Sequence, residues 1–304
     1  MLSSGSTFIN SKIIQKNIII SEDEEVKIVK DDLISKKIKS ILSEGVSASS
    51  LSLFIKNPYL FYEQKILGID NKDESKYLNY MDQGTLIHRV IEKLYKPFIG
   101  KNLDVSDINF MKNQLQNESR NTFIELHSKE PTGKNLIFIE VVKEYIGNTL
   151  NFELDQIKNQ NAKIKIISLE KKLAYSLTIK NQKVKLKGII DRIDKFNDEL
   201  RIIDYKSGNV NLGVLDIKSI DKVKIDQKYS YLLQLLFYKY LFEMNDVNTQ
   251  IKEIGICLLK ERKLPFQFVN NQSNLSIEEI KMIISDIIID IIQTKEFIDS
   301  GNPL

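Results

Sequence analysis

The feature that most constrains how this chain folds is a pair of β-patterned runs on either side of a two-residue turn signal. Gly188-Ile189-Ile190-Asp191-Arg192-Ile193-Asp194-Lys195-Phe196 and Glu199-Leu200-Arg201-Ile202-Ile203-Asp204-Tyr205-Lys206 flank Asn197-Asp198. Asn and Asp tolerate the left-handed backbone that a tight hairpin demands, so the dipeptide predicts a hairpin. That turn pairs Phe196 with Glu199 and, five steps further along both strands, sets Asp191 opposite Asp204. Opposed Cβ atoms lie about 4.5–5.5 Å apart, and like charges there destabilise a sheet unless something compensates them.

A divalent cation is the simplest compensator, because magnesium prefers a few carboxylates together with water and phosphate. Each aspartate follows two isoleucines, Ile189-Ile190 and Ile202-Ile203. Both therefore lie where strands enter a core, and a buried carboxylate needs a partner. A solvated pair of strand ends, the alternative, leaves those isoleucines unexplained. Side chains two apart on a strand share a face, which puts Lys206 beside Asp204. The same register sets Asp194 against Arg201 on the opposite face, as an ordinary cross-strand ion pair.

Around this hairpin the periodicity changes along the chain. Residues 1 to about 45, with the acidic run Ser21-Glu22-Asp23-Glu24-Glu25, read as a linker or peripheral segment. Ser47-Ala48-Ser49-Ser50-Leu51 offers N-caps to a short helix ending near Pro58, and a second helix is predicted from Thr85, as its N-cap, to Leu94. Helical spacing continues through 100–160, broken at Lys129-Glu130-Pro131-Thr132-Gly133. From Lys163 three strand-like runs predict a meander, followed by a helix over about 229–242 and strands near 251–260 and 265–269. Ser276 and Glu279 form a capping box for an Ile-rich helix to about Asp299. This order gives an α+β, or mixed α/β, fold with a central mixed sheet flanked by helices.

Composition narrows the classes of function. The 304 residues carry 44 basic and 41 acidic side chains, a formal charge of +3, so any surface for a polyanion must be a local patch. One cysteine, Cys257, lies in an apolar run and reads as a buried, inert thiol; thiolate metal sites and intrachain disulfides are excluded. No leader-like start, membrane-length apolar span or phosphate-loop motif occurs, which sets the expectation of a cytoplasmic protein with no membrane partner and no motor of its own.

Five ordered motifs together resemble the RecB-type branch of the PD-(D/E)xK nuclease superfamily, in particular AddB-like C-terminal nuclease domains. They are Ser47-Ala48-Ser49-Ser50-Leu51 with Asn57-Pro58-Tyr59-Leu60-Phe61-Tyr62, Gly84-Thr85-Leu86-Ile87-His88, Gly188-Ile189-Ile190-Asp191-Arg192-Ile193-Asp194, Ile203-Asp204-Tyr205-Lys206-Ser207-Gly208, and Gln234-Leu235-Leu236-Phe237-Tyr238. The resemblance implies a restriction-endonuclease-like core over 46–304, with a helical region at about 85–160, a catalytic sheet at about 163–270 and a terminal helix at about 276–299. It implies Mg2+, replaceable by Mn2+, held by Asp191, Asp204, His88 and the carbonyl of Tyr205. Lys206 would orient or activate the attacking water, with Gln234 and Tyr238 approaching the site and the DNA backbone.

Glu92 is expected to support His88 or to pair with Lys96, and Glu170 resembles an acidic family position but reads as a structural ion pair. Many relatives of this branch carry iron–sulfur cysteines, one of them before the proline at Pro58; this chain has Asn57 there, so no cluster is expected and the Ile-rich helix must close the domain. The implied activity is a DNA nuclease, exonuclease rather than endonuclease, partnered by a helicase subunit or a helicase-like region in double-strand-end processing. The alternatives are a catalytically weak DNA-binding scaffold and a non-nuclease interaction protein.

Overall fold

A computed structural model describes residues 27–69, 80–270 and 275–298. In chain order, β1 (Lys27–Val29), α1 (Asp32–Glu44), α2 (Ala48–Lys56) and α3 (Pro58–Phe61) precede three longer helices, α4 (Tyr80–Tyr95), α5 (Val105–His127) and α6 (Lys134–Gln160). The meander β2 (Ile164–Ile179), β3 (Gln182–Phe196) and β4 (Glu199–Lys206) follows, then α7 (Ser230–Asn245), β5 (Glu253–Leu258), β6 (Phe266–Phe268), α8 (Ile277–Gln293) and β7 (Glu296–Ile298).

The β3–β4 turn has the predicted chemistry. Asn197 and Asp198 both adopt positive φ, 49° and 71°, and the ladder pairs Phe196 with Glu199, Asp194 with Arg201 and Arg192 with Ile203. The main sheet runs β2-β3-β4-β5-β6, with β4 and β5 parallel and the other neighbours antiparallel. A parallel pair needs a crossover, and α7 supplies it. The mixed sheet expected from the order of elements is therefore present.

Two cores lie against this sheet. One is built with α1, α2, α7 and α8, the other with α4, α5 and α6. Strand β4 feeds both, Ile202 to the first and Ile203 and Tyr205 to the second, so it reads as a nearly continuous apolar run. In α4 the stripe Leu86, Ile87, Val90, Ile91 and Leu94 is 0–3% exposed, which leaves His88 and Glu92 on its open edge. Each such burial is worth about 1.5–3 kcal/mol.

Strict alternation fails twice along β2 in the long β2–β3 hairpin, once at the register shift between Ile166 and Ser168 and once beside the site. Leu169 packs on the second core and Leu173 on the first, although an even spacing should leave them on one face. Between them Glu170 has φ +45°, a left-handed backbone that costs a residue with a Cβ about 1–3 kcal/mol. Glu170 lies between the pairs Leu169–Arg192 and Lys171–Ile190, level with Asp191 on β3.

Three boundaries differ from the sequence expectation. Helix α4 begins at Tyr80, not Thr85: Gly84 and Thr85 are internal to it, and the glycine's cost of about 1 kcal/mol is offset by the buried stripe. Helix α8 keeps its Ser276–Glu279 capping box but ends at Gln293, because the chain then extends to pair β7 antiparallel with β1. Residues 27–44, read as linker or periphery, contribute Ile34, Ile38 and Leu42 to the first core. The acidic run at 21–25 lies outside the described residues. Asn57 has a local task of its own: its side-chain oxygen accepts from the Tyr59 and Leu60 amides and starts α3.

Candidate active site

Asp191 and Asp204 stand one step beyond the Arg192–Ile203 rung of the β3–β4 ladder. There the Asp191 carboxylate accepts a hydrogen bond of 2.8 Å from the Tyr205 amide. Both aspartates are buried, at 7% and 2% exposure. Helix α4 brings His88 to the same place, its Nδ1 3.3 Å from Glu170 and 3.5 Å from Asp191. Donor atoms of His88, Glu170 and Asp191 all lie within 4.8 Å of one another.

A second chain of contacts starts from Asp204. Its Oδ2 is 2.6 Å from the Lys206 ammonium, which donates to Gln234 Oε1 at 2.9 Å, and Gln234 Nε2 in turn donates to the Tyr238 hydroxyl at 2.9 Å. The Tyr231 ring lies 4.8 Å from the same ammonium. Helix α7 comes this close to the sheet because Gly188 lies beneath it: a Cβ there would come within 3.0 Å of Tyr238 and 3.1 Å of Leu241. The structure thus brings together His88, Asp191, Asp204, Tyr205, Lys206, Gln234 and Tyr238, drawn from α4, β3, β4 and α7.

The electrostatics follow from crowding acids in a part-buried site. Burial, reinforced by Asp204, pushes the Asp191 carboxyl up to about 8. Burial works against a charged His88, but the Glu170 hydrogen bond and the Asp191 and Asp204 carboxylates outweigh it and raise the imidazole to about 9. Burial likewise opposes the Lys206 charge, and Asp204 more than restores it, holding the ammonium above its usual range. Tyr238 is raised by burial and by Asp204. The Glu170 and Asp191 carboxylates and the His88 imidazole stand in one group, with Asp204 near enough to act on Asp191 and His88, and these oxygen and nitrogen donors suit a divalent cation.

Glu170, expected as a structural ion pair, does contact His88; that its carboxylate also stands in one group with Asp191 had no counterpart in the sequence pattern. Glu92 pairs with Arg89 at 3.3 Å, rather than with Lys96 or His88, since i,i+3 on the outer edge of α4 brings those two heads together. The Asp194–Arg201 pair is not an ordinary surface one. Asp194 is fully buried and also holds Arg192, whose guanidinium reaches Glu153 on α6 at 2.7 Å and stacks near Tyr95. Beyond the Asp194–Arg201 pair that the register gave, an arginine inside an apolar strand was the signal for this network. Cys257 is buried, as read, and burial pushes its thiol up to about 12.

A family model described as the PD-(D/E)XK nuclease superfamily matches residues 45–295. The chain belongs to that superfamily. Its (D/E)XK pattern occurs here as Asp204-Tyr205-Lys206. Among relatives, an uncharacterised protein of Rickettsia conorii is 30% identical over 179 residues, 54% of this chain and 19% of the relative. A protein of Streptococcus agalactiae, named as one subunit of an ATP-dependent helicase/deoxyribonuclease, is 27% identical over 62% of this chain and 16% of the relative. Its namesake in Clostridioides difficile is 28% identical, over 67% and 18%. The matched part spans less than a fifth of each of these three relatives. This PD-(D/E)XK chain has no helix, among the described residues, long and apolar enough to cross a membrane.

Proposed function

We propose that this chain is a divalent-metal-dependent deoxyribonuclease that hydrolyses DNA phosphodiester bonds. The observation that carries the proposal is the group formed by His88, Glu170 and Asp191, with the Asp204–Lys206 ion pair on the neighbouring strand. Asp191, Asp204, His88 and the Tyr205 carbonyl would hold Mg2+, with Mn2+ able to replace it, and Glu170 is placed to join them. When bound, the ion supplies Lewis-acid stabilisation of the phosphate and an acidified water.

The chain's own groups account for the rest. Lys206, a cation rather than a base, orients the attacking water and stabilises charge that develops on the phosphoryl oxygens. Gln234 fixes the direction of that ammonium and is itself fixed by Tyr238. Water oxygen bonds to phosphorus, the P–O bond to the leaving oxygen breaks, and the water's proton passes to solvent or to the leaving group.

The relatives named as helicase/deoxyribonuclease subunits support pairing with a helicase subunit or a helicase-like region of a longer chain; to this we add our own reading of a nuclease module that acts in the cytoplasm and trims double-strand ends as an exonuclease. End-labelled linear DNA tests the core of this reading. Degradation is expected with Mg2+ or Mn2+ and none with EDTA, and Asp204→Ala and Lys206→Ala are expected to be inactive while circular dichroism stays unchanged. Full activity in either variant refutes the assignment; DNA retention without cleavage in either metal favours a scaffold.

A further inference from the structure

The strand that ends in Asp191 carries a file of lysines that the proposed chemistry does not use. Lys183, Lys185 and Lys187 alternate along the outer face of β3, and their cross-strand partners on β2 are Thr178, Ser176 and Ala174. An ordinary solvated ribbon sets opposite charges against each other. Here small neutral residues face the lysines, and among the described residues no carboxylate lies within ion-pair distance of the three, or of Lys172 on β2.

The file leads from the hairpin tip to the acids. At the tip, a cavity of about 560 Å³ is lined by Lys39, Lys180 and Lys183. Next comes one of about 610 Å³ that takes in Lys172, Lys185, Lys187 and, at its far wall, Gln234 and Tyr238. Lys172 and Ile189 also line a third, of about 510 Å³, against His88 and Glu170. Among the described residues, no aspartate or glutamate lines either of the first two.

We infer that this lysine file is a track for the backbone of single-stranded DNA, which it guides along β3 to the site at Asp191. The inference rests on the nuclease reading and adds the path and form of its substrate. Lysines two residues apart repeat every ~6.7 Å along a strand. That is about twice the ~3.4 Å axial step of one strand in a stacked duplex, and it fits an unstacked strand that offers one phosphate to each lysine. Ile189, 42% exposed between Lys172 and the acids, gives an apolar surface for a base at the last step. A net charge of only +3 requires such a local patch if the chain is to hold a polyanion at all.

The test is the triple variant K183Q/K185Q/K187Q, which keeps the length of each stem on the outer face of β3, and circular dichroism is expected to show its fold unchanged. Binding of an oligodeoxythymidylate is measured by fluorescence anisotropy in EDTA across a salt series. Each lost phosphate contact removes about 0.7 from the log–log salt slope, so the variant's slope is expected to be shallower by about 2. Hydrolysis of bis(p-nitrophenyl) phosphate, which has no backbone to guide, is expected to be unchanged. An unaltered slope overturns the track, and so does an equal or larger loss on a blunt duplex than on the single strand. Should the unmodified protein hydrolyse neither DNA nor the small ester, the nuclease reading fails while the slope still decides the track.

Discussion

Two charged clusters occupy the two faces of one hairpin, and they are built on opposite principles. On one face Arg192 and Arg201 meet Glu153 and Asp194, two cations against two anions, all sealed from water. On the other, Glu170, Asp191 and Asp204 share one permanent cation, Lys206, and a histidine that must hold a proton to help. Asp194 and Asp191 are three residues apart on the same strand, yet their carboxyls move in opposite directions. Burial opposes ionisation of both; Arg192 and Arg201 overcome it at Asp194 and hold that carboxyl below the usual range, whereas Asp204 adds to it at Asp191. Charge balance, more than burial, separates a cluster that holds the fold from one left open for a ligand.

The sharpest way to break the comparison is to remove one acid from each face. Asp191→Asn is expected to lower metal-dependent DNA cleavage by on the order of 10³-fold, the scale of losing a charge-stabilising group in an active site. The melting temperature of the metal-free variant should not fall, since the substitution relieves repulsion; a drop comparable to that of a core mutant would show that Asp191 is structural. Arg192→Ala should do the reverse. It strands Glu153 without its cation and leaves Asp194 to Arg201 alone, at a cost of about 3–5 kcal/mol in urea unfolding. A cost near zero would mean that the buried network is dispensable.

Metal sharpens the contrast at smaller amplitude. Mn2+ at a hundred times its Kd should stabilise the protein by about 2.7 kcal/mol, and the shift should vanish in Asp191→Asn. Its affinity should rise from pH 7 towards 9, because the ion displaces the protons that Asp191 and His88 hold up to about 8 and about 9. Calorimetry in buffers of different ionisation enthalpy reads that release, and a pH-independent affinity contradicts it. The pH dependence of stability reads Asp194 itself. Its stabilising charge is in place above the unfolded value of about 3.9 and is lost as the pH falls through the lower folded one. Replacing it by Asn should therefore flatten the acid limb of the stability profile and leave the metal response untouched.

What the sequence disclosed follows the range of its signals. Asn197-Asp198 fixes the turn locally, and from it the register of Asp194 with Arg201, as far as Arg192 with Ile203, could be read in the sequence; the expected Asp191–Asp204 pair lies one step past that ladder. The spacing of Gln234 and Tyr238 told of one helical face, but their hydrogen bonds to Lys206 and to each other depend on how α7 crosses the sheet. Glu153 and Arg192 meet across 39 positions, and no local pattern joins them. The irregular backbone at Glu170 was equally hidden, because a glutamate in a strand-like run gives no hint of a left-handed φ. The lysines at 183, 185 and 187 were visible as an alternation, and only the cavities beside them distinguish a path from a solvated face.

Gly188 sets a tolerance on which the whole relay depends. Leu241 and Tyr238 rest on the place where its side chain would be, so a single methyl group there would act as a shim, jacking the helix away from the sheet and lengthening the reach from glutamine to lysine. The aim of the ammonium is thus governed by a hydrogen atom that takes no part in any polar contact.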